Sequence, residues 1–506
     1  MVVLRTTRQG DETRMPLRPS HQHPYGPDRP VRRREVLRDL GLASATAVVA
    51  GTYLAGCGPQ KAPPPTANAP KITLTLAPWA YAGEPLAEGA ALLLQACQPF
   101  LDKNPGIALK MDVGIVGNPG ALVPAIIAGS APDVLQDWNF FSYISQGLLV
   151  PLEQYSRRDN MSLQAFNQGQ LEEYYDLQGN LIALPAQSDP VANAVNLSIL
   201  DELGLPYPSE TWTWTEAELL WRAVAGTTLH GRRQYGSNLT NCCQAVPFGR
   251  FYLLGFGGDF ADPANHGRCV VGNAGSVAAV NWMATLIHDK VCALGGDPYG
   301  DYFAQFPKGG LLTTVVGSWD MLQHAVHWGN TFKWRYYAMP KWPVRAATAC
   351  TSNFWAIPST CKNVDAAWEL LKYVAWSPDW QRSMMKLFLT VPSVQTLWSE
   401  WETFVGQVAP PLKDKNIGAF SQLAQRNEMF ADQVFSYATP ASYGIIGKWW
   451  QMVVDRKVDA QGGMTQAQDQ VNALQRAGGE REGAAAATAK AFPTQGPTIA
   501  AVTPGL

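Results

Sequence analysis

Residues 179–221 read GNLIALPAQSDPVANAVNLSILDELGLPYPSETWTWTEAELLW. The stretch divides into an apolar strand, a polar turn at Gln187-Ser188-Asp189-Pro190, and a second run through Ala194-Val195-Asn196-Leu197. A short helix follows, then a loop bounded by Pro206 and Pro208, then a new helix. Thr215 and Glu218 fit a capping box at the start of that helix, each side chain satisfying one otherwise orphaned amide. Two apolar runs joined by a short polar turn describe a chain crossing from one lobe of a protein to another.

Moving outward toward the N-terminus, Lys71 to Leu76 alternates apolar and polar residues strictly, which is the period of a strand. A helical run over 89–101 and a second strand over 107–113 complete a βαβ unit, so a parallel sheet is expected. Another helix (122–128) leads to a strand at 130–135, and residues 146–152 close the unit. On the C-terminal side, residues 276–289 form an amphipathic helix, and Thr351 to Ile357 is a second candidate crossing. Ala367, Leu370, Leu371 and Val374 share one helical stripe, after which Ser377 and Pro378 cap the next helix. Val391-Pro392-Ser393 is the third candidate crossing.

These segments, taken in order, resemble the bacterial extracellular solute-binding proteins that feed carbohydrate ABC importers, of which maltose-binding protein is the familiar member. The resemblance rests on Gly129-x-x-Pro132-Asp133-Val134, Gly147-Leu148-Leu149-x-Pro151-Leu152 and the Leu184-Pro185 strand. It continues through Gly257-Gly258-Asp259, the Phe303 to Asp320 segment ending in Gly317-Ser318-Trp319, and AAWELLKYVAWSPDWQ at 366–381. One departure is Gly310-Leu311-Leu312-Thr313, where the family has small residues and Met. The resemblance covers about Lys71 to Ala477 and implies an α/β, two-lobed fold of the type II periplasmic-binding-protein kind, hinged on three crossings. Lobe 1 is then expected over 71–188 plus 354–390 and lobe 2 over 189–353 plus 391–477, with a disordered tail at 478–506.

In open α/β sheets ligands sit beyond the carboxyl ends of the strands. Trp79 and Tyr81 follow the first strand, and Asp137 and Trp138 follow the Asp133-Val134 strand. An aromatic face beside a carboxylate suits a sugar, the ring covering the C–H face and the carboxylate accepting from hydroxyls. Either Trp also suits a lid over the sheet edge. Trp319 is the leading candidate for a stacking platform, with Asp320 or Asp259 accepting hydrogen bonds. Asp189 in the first crossing, Trp355 in the second and Tyr443 beyond the third complete the candidate ligand-binding set.

The N-terminus bears on the compartment. Residues 1–31 are polar, Pro- and Arg-rich, and lack apolar periodicity. Arg32-Arg33-Arg34 precedes a short apolar run from Leu40 to Gly56, which has the layout of a secretory signal and is too short to span a bilayer comfortably. Arg33-Arg34-x-Val36-Leu37-Arg38 resembles the twin-arginine signal, with Arg32 where a serine or threonine is usual. Leu54-Ala55-Gly56-Cys57 matches a lipobox, implying lipidation of Cys57, and Gly58 to Pro70 is an extended Pro-rich tether. The expected partners are a carbohydrate, the transmembrane subunits of an ABC permease, and the membrane through the lipid. No cofactor is expected, and the protein is expected to be a monomer.

A chain of 506 residues, 46% hydrophobic and 16% charged, needs at least two domains and has ample core material. The net charge of −2, with no basic block in the body, argues against a nucleic-acid partner. Of the 18 Trp, one site can use only a few, so most must serve the core. Besides Cys57 the body has seven cysteines, and Cys350–Cys361 and Cys269–Cys292 are candidate disulfides in an exported protein. No C-x-x-C, H-E-x-x-H or G-x-S-x-G occurs. His324 and His327 have the spacing of a shared helix face and read as a solvated pair rather than metal ligands. Asp133 and Asp137 would be the carboxylates of a glycosidase, but Asp133 better suits support of the strand end. A receptor for a non-sugar solute, a sensor input and an exported glycoside hydrolase are the competing readings.

Overall fold

The structure, a computed structural model, describes residues 72–78, 86–112, 115, 119–137, 143, 146–176, 179–239, 249–293, 306–350, 353–426, 428–431, 434–435 and 439–491. Cys57, Trp79, Tyr81 and Trp138, all candidates above, fall outside the described residues, as do Cys242 and Cys243.

The strands that position the site are β1 (Ile72–Ala77), β2 (Ile107–Met111), β3 (Val134–Asp137), β4 (Leu184–Pro185), β5 (Val191–Asn196), β6 (Tyr235–Ser237), β7 (Leu311–Gly317), β8 (Trp334–Tyr337), β9 (Thr348–Cys350), β10 (Phe354–Ala356) and β11 (Met429–Ala431). They form two principal sheets. The first runs β2-β1-β3-β10-β4, with β1 parallel to both β2 and β3 and with β10 antiparallel between β3 and β4. The second runs β8-β5-β7-β6, with β5 antiparallel to both its neighbours. A parallel ladder of β9 on β11 joins the second half of the molecule.

Each sheet has its own apolar core. Leu74, Leu76, Val134 and Leu135 pack with Trp355, Trp368 and Trp380 about the first sheet. Alternation along β5 divides the second: Val191 and Val195 join one cluster with Trp212, Trp214 and Trp342, while Ala192 and Ala194 join another with Trp328 and Trp334. That is the two-residue period of a strand covered on both faces. Most tryptophans are core residues, as the composition requires.

Several local expectations are corrected. The capping box stands at Thr213 and Glu216, two residues earlier than Thr215 and Glu218, and opens the helix Trp214–Val224. This register puts Trp214, Ala217, Trp221 and Val224 on the buried side, while Glu218 takes hydrogen bonds from Arg222 and Trp282. Cys269, Cys292, Cys350 and Cys361 are all free thiols, so neither candidate disulfide forms. Cys350 Sγ instead accepts from the Asp189 amide and Cys361 donates to Asp133. His324 is wholly buried rather than solvated, its ring stacked on Trp328 at 4.0 Å and its Nδ1 2.7 Å from the Tyr336 hydroxyl. The last helix runs from Ala460 to Ala491, past Gly478, because the alanines of 484–491, the best helix formers, outweigh Gly478, Gly479 and Gly483. Among the described residues no helix is long and apolar enough to cross a membrane.

Candidate functional site

The three crossings lie side by side. Residues 186–190 carry the chain from β4 in the first sheet to β5 in the second, and the chain returns between β9 and β10, where Asn353 is described. Ser188 bridges to Val391, and Pro190 bridges to Cys350, so one turn touches both other crossings. The Ser188 amide donates to the Val391 carbonyl at 3.1 Å, and its hydroxyl donates to Gln170 Oε1 at 3.1 Å. Gln170 also donates to the Gln187 carbonyl at 2.8 Å, and the Tyr174 hydroxyl donates to the Asn353 carbonyl at 3.1 Å. Gly169 lies so close to the Met429 carbonyl that a β-carbon there would fall 1.9 Å from the oxygen. These contacts fix two lobes to one hinge.

Asp189 is at the centre. Its carboxylate is fully buried and accepts from Gln187 Nε2 at 2.9 Å and from Asn353 Nδ2. Burial pushes its pKa up to about 6, against the opposing pull of the Asn353 and Gln187 hydrogen bonds.

One step away, β7 ends beside this turn. Gly317 pairs with Val191, and the Ser318 amide donates to the Pro190 carbonyl at 3.1 Å. Trp319 follows, partly buried, its indole laid against Gly317; Asp320, also partly buried, completes the turn. Trp319, Asp320 and Asp189 are thus brought to one edge of the second sheet, next to the crossings.

The remaining candidates stand elsewhere. Asp137, at the carboxyl end of β3, is wholly buried and accepts from the Tyr143 hydroxyl, whose pKa burial and that carboxylate raise far above its ordinary value. Asp259 holds Arg250 in a buried two-pronged ion pair at 2.7 and 2.8 Å, and Arg250 reaches on to the Ala431 carbonyl at 2.8 Å. Trp355 sits edge-on to Trp380 at 6.1 Å inside the first core. Tyr443 packs between Phe260 and Phe435, each 5.2 Å away, and its hydroxyl accepts from the Val434 amide.

Sequence reasoning missed Gln170, Tyr174 and Asn353, which tie the crossings together. It also missed Glu172, exposed to water on the turn beside them. Although the residue is exposed, partial loss of hydration against its neighbours raises the pKa of its carboxyl; Arg250 and Arg345 act against that and Asp259 adds to it. No local signal set these residues apart, since Gln168, Gln170, Glu172 and Glu173 lie in a stretch (153–180) that is mostly polar. Among the described residues no group of His, Cys, Asp and Glu is placed to hold a metal.

Residues 95–402 match the bacterial extracellular solute-binding proteins. The chain belongs to this family. Its fold is that of the type II periplasmic binding proteins, two lobes on a three-segment hinge. The sugar-binding protein MalE from Xanthomonas citri superposes with a TM-score of 0.65 at 15% identity, covering 80% of this chain and 97% of that one. An ABC substrate-binding protein from Listeria monocytogenes gives 0.63 at 16%, covering 79% and 98%. The GacH receptor of Streptomyces glaucescens gives 0.58 at 16%, covering 80% and 99%. No curated protein matches the sequence. The family and these structural neighbours are binding proteins rather than enzymes.

Proposed function

We propose that this family member is the substrate-binding lipoprotein of an ABC importer, capturing a sugar or oligosaccharide between its lobes and delivering it to a membrane permease. The observation that carries the reading is Trp319: a partly buried indole held flat at the strand end that adjoins the first crossing. A rigid ring at a hinge offers a stacking surface at little entropic cost. Support also comes from the neighbours, since the Listeria protein is in complex with cycloalternan and the Streptomyces receptor is described in complex with acarbose.

In this reading Trp319 stacks on the ligand and Asp320 accepts from its hydroxyls, with Trp79, Tyr81 and Trp138 contributed by the strand ends of the first sheet. Asp189 and Asp137 hold the walls in place from beneath. Closure follows because a ligand touching both lobes favours the closed form by its extra contacts there. Cys57 carries the lipid, residues 58–70 form the leash, and the protein works as a monomer outside the cytoplasmic membrane. A thermal-shift screen against mono- and oligosaccharides tests the ligand class. A sugar at a hundred times its dissociation constant adds about 2.7 kcal/mol of stability, whereas a panel without any shift removes the carbohydrate reading. Cleavage of an oligosaccharide by the purified protein would point to the hydrolase reading instead.

A further inference from the structure

Asp189 sits where three strands of chain cross, and its surroundings are unlike those of an ordinary buried carboxylate. Its two oxygens meet two neutral amides, one from its own crossing (Gln187) and one from the second (Asn353). No cation lies within ion-pair distance of it among the described residues. The titratable groups facing it are Tyr174, which is itself influenced by Glu173, and Cys350 on β9, whose sulfur accepts from the Asp189 amide. Burying a charge with only neutral donors is costly, and that cost is relieved either by a proton or by water.

We propose that Asp189 is the positioning residue of the hinge, its proton setting how firmly the first and second crossings are held and so making the opening of the cleft depend on pH. The proposal rests on the two-lobed fold and not on the identity of the ligand.

The direction follows from the two environments. Hidden as in this structure, the carboxyl ionises at about 6; reached by water, it ionises near the ordinary 3.8. Acid therefore favours the arrangement that hides Asp189, and neutral pH favours movements that hydrate it. Between pH 7 and pH 5 the ratio of the two populations moves about tenfold. Protonation also removes the charge from the Asn353 hydrogen bond, so the tie between crossings changes from charge-assisted to neutral.

The test uses the ligand-free protein with spin labels, introduced as non-natural amino acids, at positions 127 and 344. The native Ile127 and Val344 are exposed and lie one in each lobe. Distance distributions recorded from pH 7 to pH 5 are expected to shift between two populations by about tenfold in the wild type. Asp189→Asn, neutral throughout, is expected to give one distribution at every pH. Asn353→Ala, which removes a donor to the charged form, is expected to move the wild-type midpoint upward, and it keeps the test open should the first variant not fold. A wild type insensitive to pH, a wild type and Asp189→Asn with the same profile, or an unmoved midpoint in Asn353→Ala overturns the proposal. Because no sugar is added, these outcomes are separate from failure of the ligand screen.

Discussion

The indole of Trp319 lies directly on Gly317, two residues before it: a β-carbon at 317 would fall 2.1 Å from Cε2, 2.2 Å from Cζ2 and 2.4 Å from Cδ2. Only glycine lets the ring lie there. Gly317→Ala is therefore expected to tilt or displace the ring, costing about 1–3 kcal/mol in stability by overpacking. Ligand affinity should fall with it, while the near-ultraviolet circular dichroism of the indole changes. Unaltered affinity and spectrum would show that the ring has slack.

Removing the ring itself is the complementary experiment. Trp319→Ala is expected to weaken saccharide binding by about 1–3 kcal/mol, measured by calorimetry. An unchanged dissociation constant would take Trp319 out of the site.

The Arg250–Asp259 pair predicts a stability effect. Both side chains are 7% exposed, and the guanidinium joins the helix after Gly249 to β11 through Ala431. Asp259→Asn leaves a buried guanidinium without its counter-charge and is expected to cost about 3–5 kcal/mol in urea unfolding. A loss under about 1 kcal/mol would mean that water reaches Arg250 in the variant.

Two buried groups pull the pH profile of stability in opposite directions. The Asp189 pKa is raised on folding, so its contribution is full below the ordinary 3.8 and is lost as pH climbs through about 6. His324 is held well below its ordinary 6.5, by burial first and by His327 second. Its contribution is present above 6.5 and drains away by about 1.4 kcal/mol per pH unit as acid is added. Unfolding midpoints from pH 8 to pH 4 should therefore fall more steeply in Asp189→Asn than in the wild type. They should fall less steeply in His324→Phe; parallel curves for all three would refute both assignments.

Free thiols supply a chemical check. Alkylation in denaturant without reductant is expected to modify Cys269, Cys292, Cys350 and Cys361, as read by peptide mapping. Protection of Cys350 together with Cys361 would restore the disulfide.

The order of elements was legible because it is written in periodicity: strict alternation at 72–76, the stripe at 367–374, and Ser377-Pro378, where Ser377 does cap the helix it precedes. Register was harder. Thr213-x-x-Glu216 and Thr215-x-x-Glu218 are overlapping boxes of equal local merit, and packing of Trp214 and Trp221 into the core decides between them. His324 misled for a similar reason, since no local signal distinguishes an exposed histidine from one stacked on Trp328 and hydrogen-bonded to Tyr336. The rest of the hinge network around Asp189 escaped because Gln170, Tyr174 and Asn353 are far from one another or from Asp189 in the chain and meet only when the crossings are in place.

The position of β10 between β3 and β4 has a consequence for synthesis. A ribosome must emit residue 356 before the first sheet can close, by which time all four strands of the second sheet are already made. A nascent chain halted earlier exposes two bare strand edges, the sort of surface that invites association with other chains. The first sheet is therefore assembled from two separated stretches of one polypeptide, and a cut between residues 190 and 353 takes away the strand that joins its two parts.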